Sequence, residues 1–429
     1  MIMTFKEMER ECFVYIVLPN ETEFVTAGRF QLTTERSGIS RGKFVYGRRY
    51  LERNEAIPID PIGLKLGVKT HETTLLKGVF SALRDASPDY WGRRVIEKHV
   101  GKVQLDEIDY LLYSPDDRAG ALGFGLNQEP PAPRREFSKV LDLAKLQKLA
   151  DKIIDDEELS SNPETEQVKE LMLEGTSMGG ARPKAVVEDE QGLWVAKFNI
   201  HDDRWNVARV EHAMLKLGQQ CGLKTAESRV EKVGDRDVLL VKRFDREKVK
   251  TGYRRARMLS ALTLLRTEDT HQNREKWSYV FLAEELRKIS SKPKDDAQEL
   301  FRRMCFNALI SNTDDHPRNH AVLAIDKDWM LSPAYDLTPS VPVSLERRDL
   351  ALICGDYGRY AHVDNLLSQS ERFMFVRDGA MKIIEEMENT VSKEWYGIAR
   401  REGVTEKDCD KIKGAFVYPG FRLNLEKVS

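Results

Sequence analysis

The stretch from Glu299 to Ser340 constrains this chain more than any other, because a helix, a polar loop dense in ligand-type side chains and a hairpin follow one another directly. In ELFRRMCFNALI, Leu300, Met304 and Ala308 form one stripe and Phe301, Cys305 and Leu309 lie beside it, the spacing of a buried helical face. SNTDDHPRNH follows as a loop. AVLAI then reads as a short strand broken by Asp326-Lys327-Asp328, and WMLSPAYDLTP as a second strand. The carboxylate of Asp336 is therefore expected at a strand end that the hairpin returns to the loop.

Asp314 and Asn319 have the spacing D-x-x-x-x-N, and Asp336 follows across the hairpin. Phosphoryl transfer needs such parts: an aspartate to accept a hydroxyl proton, and an amide oxygen with a second carboxylate to hold magnesium. Magnesium prefers a few hard oxygen ligands together with phosphates. Alone, the spacing is ordinary turn material. A Tyr-Asp at the end of a strand beside it argues for a site.

At 429 residues the chain exceeds one typical core and points to two or three domains. Hydrophobic residues at 41% and charged residues at 32% are those of a globular chain rather than a disordered one. A net charge of -2 excludes nucleic-acid binding by bulk electrostatics, which needs a basic excess, and leaves a local basic face open. Cys12, Cys221, Cys305, Cys354 and Cys409 are scattered and never spaced C-x-x-C, so neither a disulfide framework nor a zinc site is indicated. The first residues lack a signal-peptide pattern and no apolar run approaches membrane-spanning length, so a cytoplasmic location without membrane contact is expected.

Residues 1–126 read as an α+β segment, with β-type runs such as CFVYIVL and KFVYGRRYL before a helical FSALRDASPDYWGRRVIEKHV. The Pro-rich NQEPPAPRREFSK cannot complete ladder hydrogen bonds and is expected to mark a boundary. Residues 140–173 are helical in pattern, with the acidic DDEELSSNPETE solvated. Next, Gly175, Gly179 and Gly180 precede two strands, KAVVED and LWVAKFN. Glycines let a backbone approach phosphate oxygens closely, yet this loop matches neither common phosphate-loop pattern and reads equally as a flexible hairpin loop. Lys197 sits among apolar neighbours, where an ammonium group is desolvated unless it snorkels or meets an anion. Val207 to Gly222 is an amphipathic helix whose Glu211 either pairs with that lysine or faces solvent. DVLLVKRFDR leads from a strand into a mainly helical remainder, at a place where a nucleotide base would meet backbone groups.

In this order, GTSMGGARPKA, WVAKFN, VKRFDR, MLSALTLL, NTDDHPRNHAVL and LSPAYDLTP resemble the HipA family of bacterial serine/threonine kinases, toxins of toxin–antitoxin pairs. VTAGRF, GRRYLERNEAIPIDP, FSALRDASPDYWGRR and DRAGALGF extend the resemblance over nearly the whole chain, although FSALRDASPDYWG departs from the compact leucine-leucine-proline-aspartate form often found there. The resemblance implies an α+β, two-lobed protein-kinase-like fold. It places an additional N-terminal subdomain at 1–126, a β-rich small lobe at 127–245 and a helical large lobe at 246–429. It implies ATP and Mg²⁺ as cofactors, Asp314 as catalytic base, and Asn319 and Asp336 as magnesium ligands. Lys197 and Lys184 would meet the ATP phosphates under the loop of Ser177, Gly179 and Gly180. Lys242 to Phe244 would form the hinge at adenine, with Asp245 close to the ribose and His316 either in the nucleotide site or stabilising the loop. Ser177 would be self-phosphorylated, with Arg182 or Lys184 as a cation for its phosphate. A protein substrate in translation, such as an aminoacyl-tRNA synthetase, and a helix-turn-helix antitoxin that alone touches DNA complete the expectation.

Two other readings stay open. A metal-dependent phosphoesterase centre would use the same Asp, Asn and His residues but leaves the glycine loop and Lys197 unexplained. A non-catalytic nucleotide-binding scaffold in an antitoxin–operator complex is disfavoured by the intact set of Lys197, Asp314, Asn319 and Asp336.

Overall fold

Alternating apolar residues at the start of the chain build an antiparallel sheet. The computed structural model describes residues 8–35, 37–101, 105–155, 182–341 and 344–423. Strands β1 (Met8–Val17), β2 (Phe24–Thr34), β3 (Ser40–Tyr46), β4 (His71–Thr73) and β5 (Leu122–Gly125) pair in the order β4-β3-β2-β1-β5. Cys12 lies opposite Phe30, and Phe30 opposite Phe44, so one face carries a continuous apolar row that is fully buried. Gly42 and Gly78 allow two backbones to touch on that face: a Cβ on Gly42 would come within 1.8 Å of the Gly78 carbonyl oxygen.

The run read as helical around 80–100 forms two helices, Ser81–Asp85 and Tyr90–Val100, because Pro88 cannot continue the first. The second ends at Gly101 in the left-handed conformation, as helices commonly do. Glu107–Tyr113 opens with an Asp106/Asp109 capping box, and Arg93 grips Glu107 through two hydrogen bonds of 2.9 and 2.5 Å.

Residues 127–138 form no helix or strand, but they do not hang free. Thr26 donates to the Gln128 carbonyl, and the Arg134 amide donates to Asp116 at 2.7 Å, so side chains take the place of missing ladder partners. The helix Leu143–Ile154 buries Leu146, Leu149 and Ile153. Strands β6 (Lys184–Asp189) and β7 (Gly192–Phe198) form the expected antiparallel hairpin, and Val186 and Leu193 share a cluster with Phe137 and Tyr253.

Two compact units result. The first comprises Met1–Phe198, Lys242–Leu259 and Leu323–Lys327; the second comprises Asn199–Val241, Ser260–Val322 and Asp328–Ser429. This grouping differs from a division at 126/127 and 245/246. The Pro-rich segment lies inside one unit, and the chain passes repeatedly between the two. In the second unit the helix Pro293–Leu309 packs against Tyr279–Ile289 and Arg377–Arg401, with Leu300, Phe301, Met304, Phe306, Ile384 and Val391 wholly buried. Phe301 also meets the rings of Phe373 and Phe375 at 5.4 and 5.2 Å. Each fully buried side chain of this kind contributes about 1.5–3 kcal/mol.

Candidate active site

The helix Pro293–Leu309 does more than fill a core. It starts six residues before Glu299, at a proline whose missing N–H costs nothing in the first turn. Asp296, Glu299 and Arg303 fall on one face at helical spacing, and all three are buried. Asp296 accepts the Leu331 amide at 2.8 Å, Glu299 accepts the Lys224 amide at 3.1 Å, and Arg303 donates to the Ser332 carbonyl at 2.5 Å. Arg303 and Glu299 also pair with each other at 3.1 Å. One helix face thus clamps the chain that leads to Asp336.

That chain is less regular than predicted. After Ala321–Ala324 the return strand covers only Met330–Leu331, since Pro333 has no N–H to extend the ladder. The Ser332 amide still donates to the Ala321 carbonyl at 2.8 Å, which closes the hairpin. Beyond it, Ala334 bridges in parallel to Thr225, through bonds of 2.7 Å to the Lys224 carbonyl and 2.8 Å from the Ala226 amide. Tyr335 reaches the loop and donates to the Arg318 carbonyl at 2.7 Å. Asp336 then takes a left-handed backbone, φ +60°, a conformation that non-glycine residues rarely hold outside functional or tightly determined places.

The loop between helix and hairpin rests on a buried polar network. Ser311, also left-handed at φ +54°, donates to the Ala415 carbonyl at 2.6 Å and accepts from Arg348, bonds that offset its strain. Asn312 donates to Asn307 at 3.1 Å and to the Asp336 carbonyl at 3.4 Å. Asp315 is 1% exposed; it takes the Tyr279 hydroxyl and pairs with His320 at 2.7 Å. Its neighbour Asp314 instead faces solvent. Of two adjacent aspartates, one is consumed by support and the other is left exposed.

Although its surface stays open, desolvation by the surrounding protein raises the Asp314 pKa. His316 opposes the rise, Asp336 and Asp315 add to it, and Arg274 opposes it. A raised pKa makes a carboxylate a better proton acceptor near neutral pH. The neighbouring negative charge of Asp336 is also what a cation would relieve.

Asn319 is buried and donates its amide NH₂ to the Asp314 carbonyl at 3.4 Å, which turns Oδ1 to the other side. Among the described residues no three of His, Cys, Asp and Glu gather as a metal cage. A magnesium shell of Asp336, Asn319, phosphate oxygens and water is the pattern this pair of ligands fits. His316 opens the turn Pro317–Asn319, and its Nδ1 is buried without a hydrogen-bond partner among the described residues.

In the first unit, Lys184 and Lys197 are Cα partners across the β6–β7 hairpin, so their side chains share a face. Lys184 is 3% exposed and Lys197 is half-buried among buried neighbours. Lys242 lies 5.7 Å over the Trp194 ring, and Lys242 and Phe244 are half-buried while Arg243 and Asp245 between them are buried. Asp245, expected close to the ribose, is buried with its carboxylate in a polar network. Its two oxygens accept from Arg243, Arg246 and the Gly120 amide, and so point inward. Glu211 is buried rather than facing solvent. Ser177, Gly179 and Gly180 lie outside the described residues.

The clamp residues Asp296, Glu299 and Arg303, and the support set of Tyr279, Asn307, Asn312, Asp315 and His320, did not emerge from the sequence as functional. The available signal was charge and amide at helical spacing within an apolar run: Glu299 and Arg303 flank Leu300 and Met304, and Asn307 follows Phe306.

The model of the HipA-like C-terminal domain matches residues 176–395, just over half of the chain. The chain belongs to the HipA-like family. Among solved structures, it superposes on HipA from the Shewanella oneidensis MR-1 toxin–antitoxin complex of HipA, HipB and operator DNA with a TM-score of 0.66 and 14% identity, over 94% of both chains. The mixed α/β fold of HipA is thereby shared across nearly the whole length. A putative kinase, Y4mE of Sinorhizobium fredii, is 26% identical over 179 residues. That match spans 38% of this HipA-like chain and 42% of the relative's length.

Proposed function

We propose that this HipA-like chain is an ATP- and magnesium-dependent protein serine/threonine kinase. The observation that carries the reading is the presentation of Asp314, exposed and raised in pKa, beside Asn319 and Asp336 on a network that fixes all three. Asp314 orients the substrate hydroxyl and takes its proton. Asp336 and the Asn319 Oδ1 hold Mg²⁺, which when bound neutralises phosphate charge. Lys184 and Lys197 attract the phosphates of ATP, and Ser177, Gly179 and Gly180 cover them. Lys242 and Phe244 meet the adenine, and His316 either belongs to the nucleotide site or stabilises the loop. Positioning and electrostatics supply most of the catalysis in phosphoryl transfer, so a rigid support network is what such a site requires.

Further parts of the reading rest on resemblance. The substrate is a protein of translation such as an aminoacyl-tRNA synthetase, and Ser177 is the self-modified serine. The partner is a helix-turn-helix antitoxin through which the chain meets operator DNA; the Shewanella HipA in its complex with HipB and DNA supports that assembly. The test is Asp314→Asn: ATP affinity should stay within a few-fold, while phosphoryl transfer falls by about 10²–10⁴, the usual worth of a general base. Transfer at close to the wild-type rate would refute the assignment.

A further inference from the structure

The turn Asp116–Gly120 and the segment Lys242–Arg246 are joined by buried charge. The Asp245 carboxylate, 3% exposed, receives four donors: Arg243 at 2.9 and 2.7 Å, Arg246 at 2.8 Å and the Gly120 amide at 2.9 Å. The two guanidinium groups then continue to the turn's carbonyls. Arg243 donates to Asp117 and, at 3.0 Å, to Arg118; Arg246 donates to Arg118 at 2.6 Å and Gly120 at 2.8 Å. Both arginine side chains are almost wholly enclosed.

The turn itself is held from behind. Arg118 donates to the carbonyls of Ala86, Leu111 and Ser114 and lies over the Phe124 ring at 4.8 Å. Burial presses its pKa down to about 10, against the pull of Asp116 and Asp117. On the far side, Arg255 clasps Asp116 through two bonds of 2.8 Å. Arg118 Nε and Arg255 Nε find no hydrogen-bond partner among the described residues, but the bonds to the Asp245 carboxylate make this part rigid, because each donor removed there would weaken the hold on a buried charge.

Burial alternates along this strand end and turn: Arg243 and Asp245 are buried and held by the network, whereas Lys242 and Phe244 between them stay half-buried. A network used only for stability has no need to grip the two residues that interleave with this pair.

We propose that the Asp116–Gly120 turn positions the base-binding segment, with Arg243, Asp245 and Arg246 as positioning residues that set the placement of Lys242 and Phe244 and so the preference for adenine. This rests on the reading that Lys242 and Phe244 meet the nucleotide base. The N-terminal sheet segment, which supplies the turn, thereby acts on nucleotide selection without touching the nucleotide.

The experiment is calorimetric titration of the full chain with MgATP, MgGTP and magnesium tripolyphosphate, for wild type, Asp245→Asn and Gly120→Ala. Gly120 has φ +79°, and a Cβ there would stand 3.3 Å from the Met258 amide nitrogen, so this variant shifts the turn from the far side. Both variants should weaken ATP about tenfold or more, leave tripolyphosphate within twofold, and narrow the ATP-to-GTP preference. Arg246→Lys replaces Asp245→Asn where the latter does not fold. Equal losses for ATP and tripolyphosphate, with the ATP-to-GTP ratio unchanged, would leave the network a purely structural role and overturn the proposal. Wild-type protein that binds ATP no better than tripolyphosphate would overturn the base-segment reading itself.

Discussion

Arg303 offers a direct test of how Asp336 is held. In Arg303→Met the helix keeps its length and apolar bulk, but Glu299, 4% exposed, loses its ion-pair partner and keeps only the Lys224 amide. Breaking a buried pair in this way typically costs about 3–5 kcal/mol. The Ser332 carbonyl also loses its donor, a share of about 1–3 kcal/mol within that sum. The double variant Glu299→Gln/Arg303→Met removes the stranded charge while Gln still accepts from Lys224. It should recover all but the carbonyl's share and lie about 1–3 kcal/mol below wild type. Urea unfolding with an unchanged slope measures both. If the clamp positions Asp336, the two variants should lose the magnesium dependence of ATP affinity to a similar degree despite their different stabilities. A double variant as unstable as the single one would refute the charge argument, and one with full magnesium dependence would refute the clamp.

Asp336→Ala should sharply weaken the effect of magnesium on ATP affinity and Asn319→Ala should do so less, as titrations with and without the metal would reveal; no change in either sinks the ligand assignment. Because the folded state raises the Asp314 pKa, stability from this group is present at low pH and is lost as pH rises through the folded pKa. Asp314→Asn should therefore be slightly more stable than wild type at neutral pH and lose that margin in acid, which thermal unfolding across pH can follow. Protein made in cells should carry phosphate on Ser177, a group of about -1.5 to -2 charges that would repel ATP, and Asp314→Asn protein should not; peptide mass mapping decides.

Periodicity was enough to read the helix before the loop and the β6–β7 hairpin, because each is a local pattern, and the D-x-x-x-x-N spacing pointed to the loop that carries Asp314 and Asn319. What escaped the sequence is long-range. Nothing near Asp315 says that Tyr279 and His320 will bury it, and nothing near Asp245 says that the Gly120 amide lies against it. Proline content marked residues 127–139 as lacking secondary structure, yet packing decided that they would not divide the chain. The short return strand was a misjudged local feature: Pro333 was visible, and its effect on the ladder outweighs the strand propensity of the run around it.

The interleaving of the two units bears on how the protein comes into being on the ribosome. Each is assembled from three stretches, and Leu323–Lys327, which belong to the first, are made after Asp314 and Asn319 of the second. Domains generally close as units during synthesis, at about 5–20 residues per second. Here the first waits for Lys327 and the second for longer: a nascent chain ending before Asp328 already contains Lys184, Lys197, Lys242 and Asp314 but lacks Asp336 and the helix Arg377–Arg401 that packs on Pro293–Leu309. Lys184 and Asp336, which the proposed site needs together, are separated by the synthesis of much of both units.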